Sequence, residues 1–411
     1  MRLPLRPILS SLGHHRLTAG LLALQVALTC AFVTNAVFLI GDRIDRLRTA
    51  TGLPEDEVSL VTVRGLHAKA DAPAQWQADL IALRGISGVT AATAIGATLP
   101  LSGGADDSGI CADQRALERA IALRSSGAAG CVDASYYTGS PGFVQAMGAR
   151  LIAGRDFRPD EYSGATPGAI IVTRSLAQQL WPDQLAVGKT LYGWDSQSTV
   201  VGVVEDLLRP RLRKPELDHL VALSPQLPTG NQTHYLLRSA AEDRGRVLAQ
   251  VAGVLAGSGP LRTVPGDKQR SFAQIRARYF QRDTTMIGLL LAATTGLLFV
   301  TALGIGGLAS FWVQQRTRQI GIRRAIGATR GDILRYFQAE NLLIVGSGSA
   351  LGMLLAVLLN QWLMLRYDAV PLPPLYLPAG AVTVLLLGQL AVLWPARRAA
   401  AVAPAIATRS A

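Results

Sequence analysis

The 411-residue sequence predicts a membrane protein with four transmembrane helices and one large α+β domain inserted after the first helix. Four stretches lack Asp, Glu, Lys and Arg: Leu17–Ile40, Thr284–Val313, Asn341–Leu365 and Ala369–Ala396. Each exceeds the roughly 20 residues that an α-helix needs to cross the hydrocarbon core of a bilayer. Only the gap between the first two stretches is long, so residues 41–283 are predicted to form a domain on one side of the membrane.

The net charge of +12 is concentrated in short segments that flank the predicted helices. Residues 41–283 hold 27 basic and 25 acidic side chains, a net charge of +2, which argues against a nucleic-acid-binding surface. Outside residues 41–283 there are 13 arginines, and twelve of them lie in the N-terminal segment 1–16, the loop 314–340 and the C-terminal segment 397–411. Four spans place these three segments on one side, and short cationic segments stay in the cytoplasm. We therefore expect cytoplasmic termini, an outward-facing α+β domain and, because no cleavage site follows it, an uncleaved first span.

Within residues 41–283, two strand–helix–strand patterns flank a long insertion. The first reads as Val58–Val63, Ala74–Gly85 and Gly88–Ile95, and the second as His234–Arg238, Arg244–Ala256 and Leu261–Val264. Such a split pair predicts a sandwich of the ferredoxin-like type, built from residues 41–99 and 228–283. The insertion, residues 100–227, is punctuated by Gly and Pro and predicts a compact β-rich subdomain. Amphipathic segments at both edges of the domain predict stalk helices that continue from the first and second spans.

Cys111 and Cys131 are the cysteines of the predicted outer domain, and Cys30 lies in the first span. An oxidising compartment would permit a disulfide between Cys111 and Cys131. Two free thiols, too far apart to be bridged, are the alternative.

The sequence shows no recognisable catalytic, metal or cofactor site. Gly188-Lys-Thr190 ends like a phosphate-binding loop, but Asp183 occupies the position of the required first glycine. The five histidines and the two outer cysteines lack metal-ligand spacing. We therefore expect no enzyme activity and no cofactor in this chain.

The loop 314–340 contains the sharpest pattern. Ile322, Ile326, Ile333 and Phe337 recur at helical spacing among arginines. Gly327 suits the residue after a helix C-terminus, and Thr329 with Asp332 resembles a capping box that starts a second helix. The prediction is a helix–turn–helix elbow that docks onto a cytoplasmic partner. A basic helix resting on anionic membrane lipids is the alternative.

Small residues mark the third predicted span. Gly348 and Gly352 form a small-xxx-small pattern, which permits two helices to approach closely. The four spans carry no charged residue, which argues against a proton relay. Because four helices enclose little space, a dimer is expected.

Several segments, in order, resemble permeases of the macrolide-exporter/FtsX-like family of ABC transporters. They are RTRQIGIRRAIGATRGDILRYFQAENLLI in the loop, SPGFVQAMGARLIAGRDFRPDE, AIIVTRSLAQQLWP, AVGKTL and VVGVVEDLLRP in the α+β domain, and WPARRAAAVAPAIA at the end. The resemblance covers nearly the whole chain and implies a bacterial inner-membrane subunit whose large domain is periplasmic. It also implies a porter-like subdomain with a β-rich insertion.

The resemblance further implies partners and a site. A separate cytoplasmic ABC ATPase, in two copies, would bind ATP, and a second permease would complete a homo- or heterodimer. A periplasmic adaptor and an outer-membrane channel are further candidate partners. The ATPase coupling residues would be Ile320, Gly321, Arg323, Arg324, Ala325, Gly327, Ala328 and Arg330.

The leading functional hypothesis is mechanotransmission. ATP hydrolysis by the partner would move the elbow, and the helices would carry this motion to the periplasmic domain to export a drug, peptide or other amphipathic compound. The alternative is a signalling subunit that activates a periplasmic partner such as a cell-wall hydrolase.

Overall fold

The computed structural model describes residues 16–65, 72–104, 107–125, 127–162, 168–193, 197–227, 232–259, 262–367 and 371–401. The chain forms two compact units, divided at residues 48/49 and 281/282. We call them the helical unit, residues 16–48 and 282–401, and the α+β unit, residues 49–281. The predicted N-terminal segment before residue 16 and the tail after residue 401 lie outside the described residues.

Among the described residues, the helical unit contains five helices: α1 Arg16–Arg48, α8 Gln281–Gln315, α9 Thr317–Ala325, α10 Arg330–Tyr367 and α11 Tyr376–Ala400. The helices of the α+β unit are α2 Ala72–Arg84, α3 Gln114–Leu123, α4 Phe143–Met147, α5 Arg174–Leu180, α6 Arg244–Gly257 and α7 Phe272–Tyr279. Among the described residues, α1, α8, α10 and α11 are the four helices long and apolar enough to cross a membrane. The four-helix prediction is thus confirmed.

Two of the predicted spans differ from the helices of the structure. The fourth was predicted from residue 369, but α11 begins at Tyr376, because Pro371, Pro373 and Pro374 remove backbone donors and hold their neighbours extended. The third was predicted from residue 341, but α10 already begins at Arg330 and includes the second half of the elbow.

Helix α1 packs closely on α10 because α10 carries glycine at the contact. A Cβ atom on Gly348 would lie 2.7 Å from the Ala23 carbonyl oxygen, and one on Gly352 would lie 2.7 Å from the Ala27 carbonyl oxygen. Side chains larger than hydrogen would push the two backbones apart. The predicted role of the Gly348/Gly352 pair is therefore confirmed.

The strands of the α+β unit are β1 Val58–Gly65, β2 Val89–Ile95, β3 Asp107–Cys111, β4 Cys131–Gly139, β5 Leu151–Gly154, β6 Ala169–Thr173, β7 Thr190–Gly193, β8 Gln197–Val204, β9 Val221–Pro225, β10 Gln232–Ser239, β11 Arg262–Thr263 and β12 Gln269–Ser271. Four of them form an antiparallel layer in the order β11-β1-β10-β2. This order, with α2 and α6 as the crossing helices, is the ferredoxin-like arrangement that the sequence predicted. Trp76 and Leu83 of α2 and Val251 of α6 are buried in its core.

The insertion closes into a small barrel. Its strands follow one another as β4-β3-β7-β8-β6-β9, and β9 pairs in parallel with β4 to complete the circle. Closure leaves no unpaired row of backbone groups in the ring. Helix α5 covers it, and Leu176 and Trp181 pack against strand residues such as Val172. The β-rich prediction is confirmed.

A buried arginine ties the segment after β8 to the barrel. The Arg209 side chain is 0% exposed, and its Nη2 atom lies 2.9 Å from Asp107 Oδ1. Its Nε atom donates to Ser135 Oγ at 3.0 Å. Arg213 Nη2 reaches the other Asp107 oxygen at 2.8 Å. Asp107 therefore bridges one fully buried and one half-exposed guanidinium, and Asp133 is a second carboxylate partner of Arg213.

The first and last strands of the α+β unit are neighbours. β12 pairs with β1, with Ser271 opposite Ser59. Arg276 of α7 donates to Glu55 Oε1 at 2.6 Å and to the Thr49 carbonyl oxygen at 2.8 Å. Residues 41–48 belong to α1 and not to the α+β unit, so the first stalk is continuous with its span. The second predicted stalk is interrupted, because α7 ends before Phe280 and α8 begins after it.

Cys111 and Cys131 form a disulfide in the structure, with Cα atoms 4.0 Å apart at directly opposite positions of β3 and β4. The bond closes the segment that contains α3. We expect Cys111→Ser/Cys131→Ser to lower the free energy of unfolding of the α+β unit by about 2–4 kcal/mol, because a 20-residue loop regains freedom in the unfolded chain. Thermal unfolding of the purified protein measures the effect.

A reducing agent provides the control for that variant. It should destabilise the wild type by a similar amount and leave the double-serine variant unchanged. Equal stability of the wild type with and without reductant would contradict the bond.

Candidate functional site

The elbow, residues 316–335, joins α8 to α10. Arg316 lies between α8 and α9. After α9, Gly327 adopts a φ of +106°, which a residue without a side chain tolerates. The Gly327 and Ala328 amides donate to the carbonyl oxygens of Arg324 and Arg323, which closes the helix end. The predicted role of Gly327 as the residue after a helix is confirmed.

The second helix of the elbow begins with a reciprocal cap. The Asp332 amide donates to Thr329 Oγ1 at 3.2 Å, and the Thr329 amide donates to Asp332 Oδ2 at 3.1 Å. Both free N–H groups are thereby satisfied, so α10 starts at a fixed position. The predicted capping box is confirmed.

The structure divides the eight predicted coupling residues into three sets. Ile320 and Gly321 are buried in the helical unit, and the Ile320 side chain is only 5% exposed. Arg324 and Ala328 are half-buried, and Arg324 Nη1 donates to the Ala400 carbonyl oxygen of α11 at 3.3 Å. The exposed residues are Arg323, Ala325, Gly327 and Arg330.

Ile320 and Gly321 therefore do not lie on the surface that the sequence assigned to them. They face the interior because one side of a nine-residue helix must pack against the bundle. Their role is to hold α9 in place.

The four apolar residues that recur at helical spacing in the loop also fall into two groups. Ile333 and Phe337 are buried in the core of the helical unit, whereas Ile322 and Ile326 are 46% and 82% exposed. Ile326 projects from the tip of the elbow, next to Gly327. Four arginines of the elbow are also exposed: Arg318, Arg323, Arg330 and Arg335.

Arg323 is oriented by an aromatic ring. Its guanidinium carbon lies 5.0 Å from the centre of the Tyr336 ring, a distance at which a cation is attracted to the ring face. The elbow thus presents a basic surface with two exposed isoleucines, of which Ile326 is the more exposed. Such a surface suits a partner with carboxylates around an apolar notch.

An ion pair that the sequence pattern did not single out lies beneath the elbow. Arg316 Nη1 lies 2.9 and 3.0 Å from the two Glu340 carboxylate oxygens, and the Glu340 side chain is 2% exposed. The sequence signal that could have predicted this ion pair is Glu340, a carboxylate three residues after Phe337 and on the same inward side of the helix.

The structure gives no support to a nucleotide site at Gly188–Thr190. Gly188 forms a turn with φ +84°, and strand β7 follows where a phosphate-binding loop requires a helix. Among the described residues, no group of three or more His, Cys, Asp or Glu is placed to hold a metal ion.

The fold and the elbow define a membrane protein with four long apolar helices and one α+β unit inserted after the first. Residues 291–404, which include the elbow, match the family model described as the FtsX-like permease C-terminal domain.

Curated relatives include ATP-binding/permease proteins. The chain is 28% identical over 286 residues to the macrolide export ATP-binding/permease protein MacB of Pasteurella multocida, covering 67% of this chain and 43% of that protein. It is 33% identical over 137 residues to the pyoverdine export ATP-binding/permease protein PvdT of Pseudomonas fluorescens, covering 33% of this chain and 20% of that protein. The chain thus spans less than half the length of the curated relatives it matches.

Two solved domains are similar to part of this chain. One is the extracellular domain of the ABC-type transporter YknZ from Gram-positive bacteria, 13% identical, covering 50% of this chain and 98% of that one, with a TM-score of 0.31. The other is the periplasmic region of MacB from Actinobacillus actinomycetemcomitans, 11% identical, covering 53% and 94%, also with a TM-score of 0.31.

Proposed function

We propose that this protein is the permease of an ABC-type exporter and that its elbow is the docking surface for an ABC ATPase. The observation that carries the proposal is the exposed Ile326 in an elbow that also exposes four arginines, within the region that matches the FtsX-like family model. The exposed isoleucine presents apolar area whose burial against a partner would stabilise a complex.

The proposed setting is the bacterial inner membrane. The arginine-rich elbow and both termini lie in the cytoplasm, because short cationic segments are retained there. The α+β unit then lies in the periplasm, where the Cys111–Cys131 bond is stable. Two ATPase copies and a second permease complete the core, and an adaptor and an outer-membrane channel are further partners.

The proposed mechanism is mechanotransmission. ATP binding brings the two ATPases together, the elbows move with them, and α1 and α8 carry the displacement to the α+β units. Arg316, Ile320 and Arg324 fix the elbow to the bundle, which supports the transfer of force from α9 to the long helices. The motion expels an amphipathic compound, a class suggested by the macrolide and pyoverdine exported by the relatives.

Ile326→Asp tests the docking surface. Burying an isoleucine stabilises a complex by about 1.5–3 kcal/mol, which corresponds to about 10–100-fold in affinity. We expect the variant to lose at least tenfold in ATPase binding, measured by co-purification and titration, with unchanged thermal stability.

Leu185→Asp is the matched control, because Leu185 is 84% exposed but lies in the α+β unit. It should bind the ATPase like the wild type. Full binding by Ile326→Asp, or no ATPase binding by the wild type, would contradict the proposed docking site.

A further inference from the structure

The Arg316–Glu340 pair lies at the joint between a membrane helix and the elbow. Arg316 is the residue between α8 and α9, and its side chain reaches Glu340 on α10. Both partners are largely buried, at 15% and 2% exposure. One guanidinium nitrogen, Nη1, contacts both carboxylate oxygens, and charge-assisted hydrogen bonds of this kind are stronger than those between neutral groups.

Three contacts make α9 one body with α10 and α11. The ion pair holds its first end, Ile320 packs into the core of the helical unit, and Arg324 binds the Ala400 carbonyl oxygen at its last end. A force on the exposed side of α9 therefore reaches α10 and α11 directly. It reaches α8 through the short joint at Arg316.

The buried packing of α8 within its unit begins only in the middle of the helix and continues toward this joint. Of the most apolar 18-residue stretch of α8, only 11% is buried within the chain, whereas the corresponding share for α1 is 56%. Its buried residues begin at Thr294 and continue as Thr301, Ile305, Ala309 and Trp312. Residues 281–293 contain no buried side chain. The buried side chains of α8 thus lie between Thr294 and Trp312, and the Arg43–Asp283 ion pair joins the other end of the helix to α1.

Stability alone does not account for a buried ion pair at this position. Replacing such a pair by apolar residues of similar volume is often neutral or stabilising, because desolvation offsets the attraction between the charges. The specific contribution of the pair is the fixed orientation of the α8–α9 joint.

We propose that Arg316 and Glu340 are positioning residues that form the pivot of α8, so that elbow movement tilts α8 and thereby displaces the α+β unit that precedes it in the chain. This inference rests on the proposed function. It assigns the ion pair to coupling and leaves ATPase docking to the exposed elbow residues.

The test uses Arg316→Leu/Glu340→Met, which removes both charges and leaves apolar side chains in the same space. Spin labels at Val37→Cys on α1 and Met286→Cys on α8, both exposed, report the distance between the far parts of these helices. The full-length protein, diluted with unlabelled copies and bound to its ATPase, is measured with and without ATP plus vanadate.

We expect the nucleotide to shift the distance distribution in the wild type and the shift to be lost in Arg316→Leu/Glu340→Met, with ATPase co-purification retained. The charge-swapped variant Arg316→Glu/Glu340→Arg should restore at least half of the shift. Asp42→Asn, which breaks the exposed Asp42–Arg46 pair on α1, is the control and should keep it.

A full shift in the apolar variant that still binds the ATPase would overturn the pivot and leave the proposed function standing. Loss of ATPase binding in the apolar variant would also overturn it, because the pair would then act in docking. Absence of ATPase binding by the wild type would instead count against the proposed function.

Discussion

Asp107→Asn is expected to lower the free energy of unfolding of the α+β unit by about 3–5 kcal/mol, because a buried charge loses its partner. Arg209 is fully buried and Asp107 is its carboxylate, at 2.9 Å. The asparagine cannot neutralise the guanidinium, although it fills the same space. Thermal and denaturant unfolding of the purified protein, followed by tryptophan fluorescence, measures the loss.

The same contact predicts a pH dependence. Burial acts to raise the pKa of Asp107, but hydrogen bonds from Ser135 and Arg209 and the charges of Arg209 and Arg213 outweigh it and hold the pKa below its usual 3.8. A lowered folded-state pKa stabilises the protein above the unfolded-state value, and this contribution is lost as the pH falls through the folded-state value. The difference between the wild type and Asp107→Asn should therefore shrink below about pH 4.

Glu205→Gln is the control for Asp107→Asn. Glu205 pairs with Arg150 and Arg174 at the surface, where solvent screens the charges. We expect no measurable change in stability. An Asp107→Asn protein as stable as Glu205→Gln at neutral pH would contradict the role assigned to the buried network.

Gly352→Leu is expected to destabilise the helical unit by about 1–3 kcal/mol or more, because α10 has no room for a side chain there. The new Cβ would lie 2.6 Å from the Cys30 Cβ and 2.7 Å from the Ala27 carbonyl oxygen of α1. Because one of these atoms is backbone, the helices themselves must separate. Unfolding temperature and monodispersity in detergent measure the effect.

Gly346→Leu provides a matched control on the same helix. A Cβ at Gly346 would meet no atom within 4 Å in this chain. This variant should keep the wild-type unfolding temperature, so a similar loss in both variants would indicate a general effect of leucine and not a tight α1–α10 contact.

Much of the fold followed from hydrophobic patterns in the sequence. Long charge-free stretches identified the four apolar helices, since only helices satisfy their own backbone in hydrocarbon. The two strand–helix–strand patterns identified the ferredoxin-like layer. Local chemistry was equally informative where one residue decides the structure, as Gly327 and the Thr329–Asp332 cap show.

Features that depend on contacts between distant segments were not predictable in this way. The pairing of β9 with β4, which closes the barrel, joins strands about 80 residues apart and leaves no local pattern. The sequence also did not show which side of α9 faces the bundle. Ile320 and Ile322 are chemically the same, and only packing makes one buried and the other exposed. Glu340 lay just outside a predicted span, so its partner Arg316 looked like one more surface arginine.

The joined ends of the α+β unit have a mechanical consequence. Thr49 and Gln281 are the two places where a displacement of α1 or α8 would be applied to that unit. The pairing of β1 with β12, and the hydrogen bond from Arg276 to the Thr49 carbonyl oxygen, directly oppose the separation of Thr49 from Gln281. Tension applied between the two ends would therefore act first on the β1–β12 hydrogen bonds and on the Arg276–Thr49 contact.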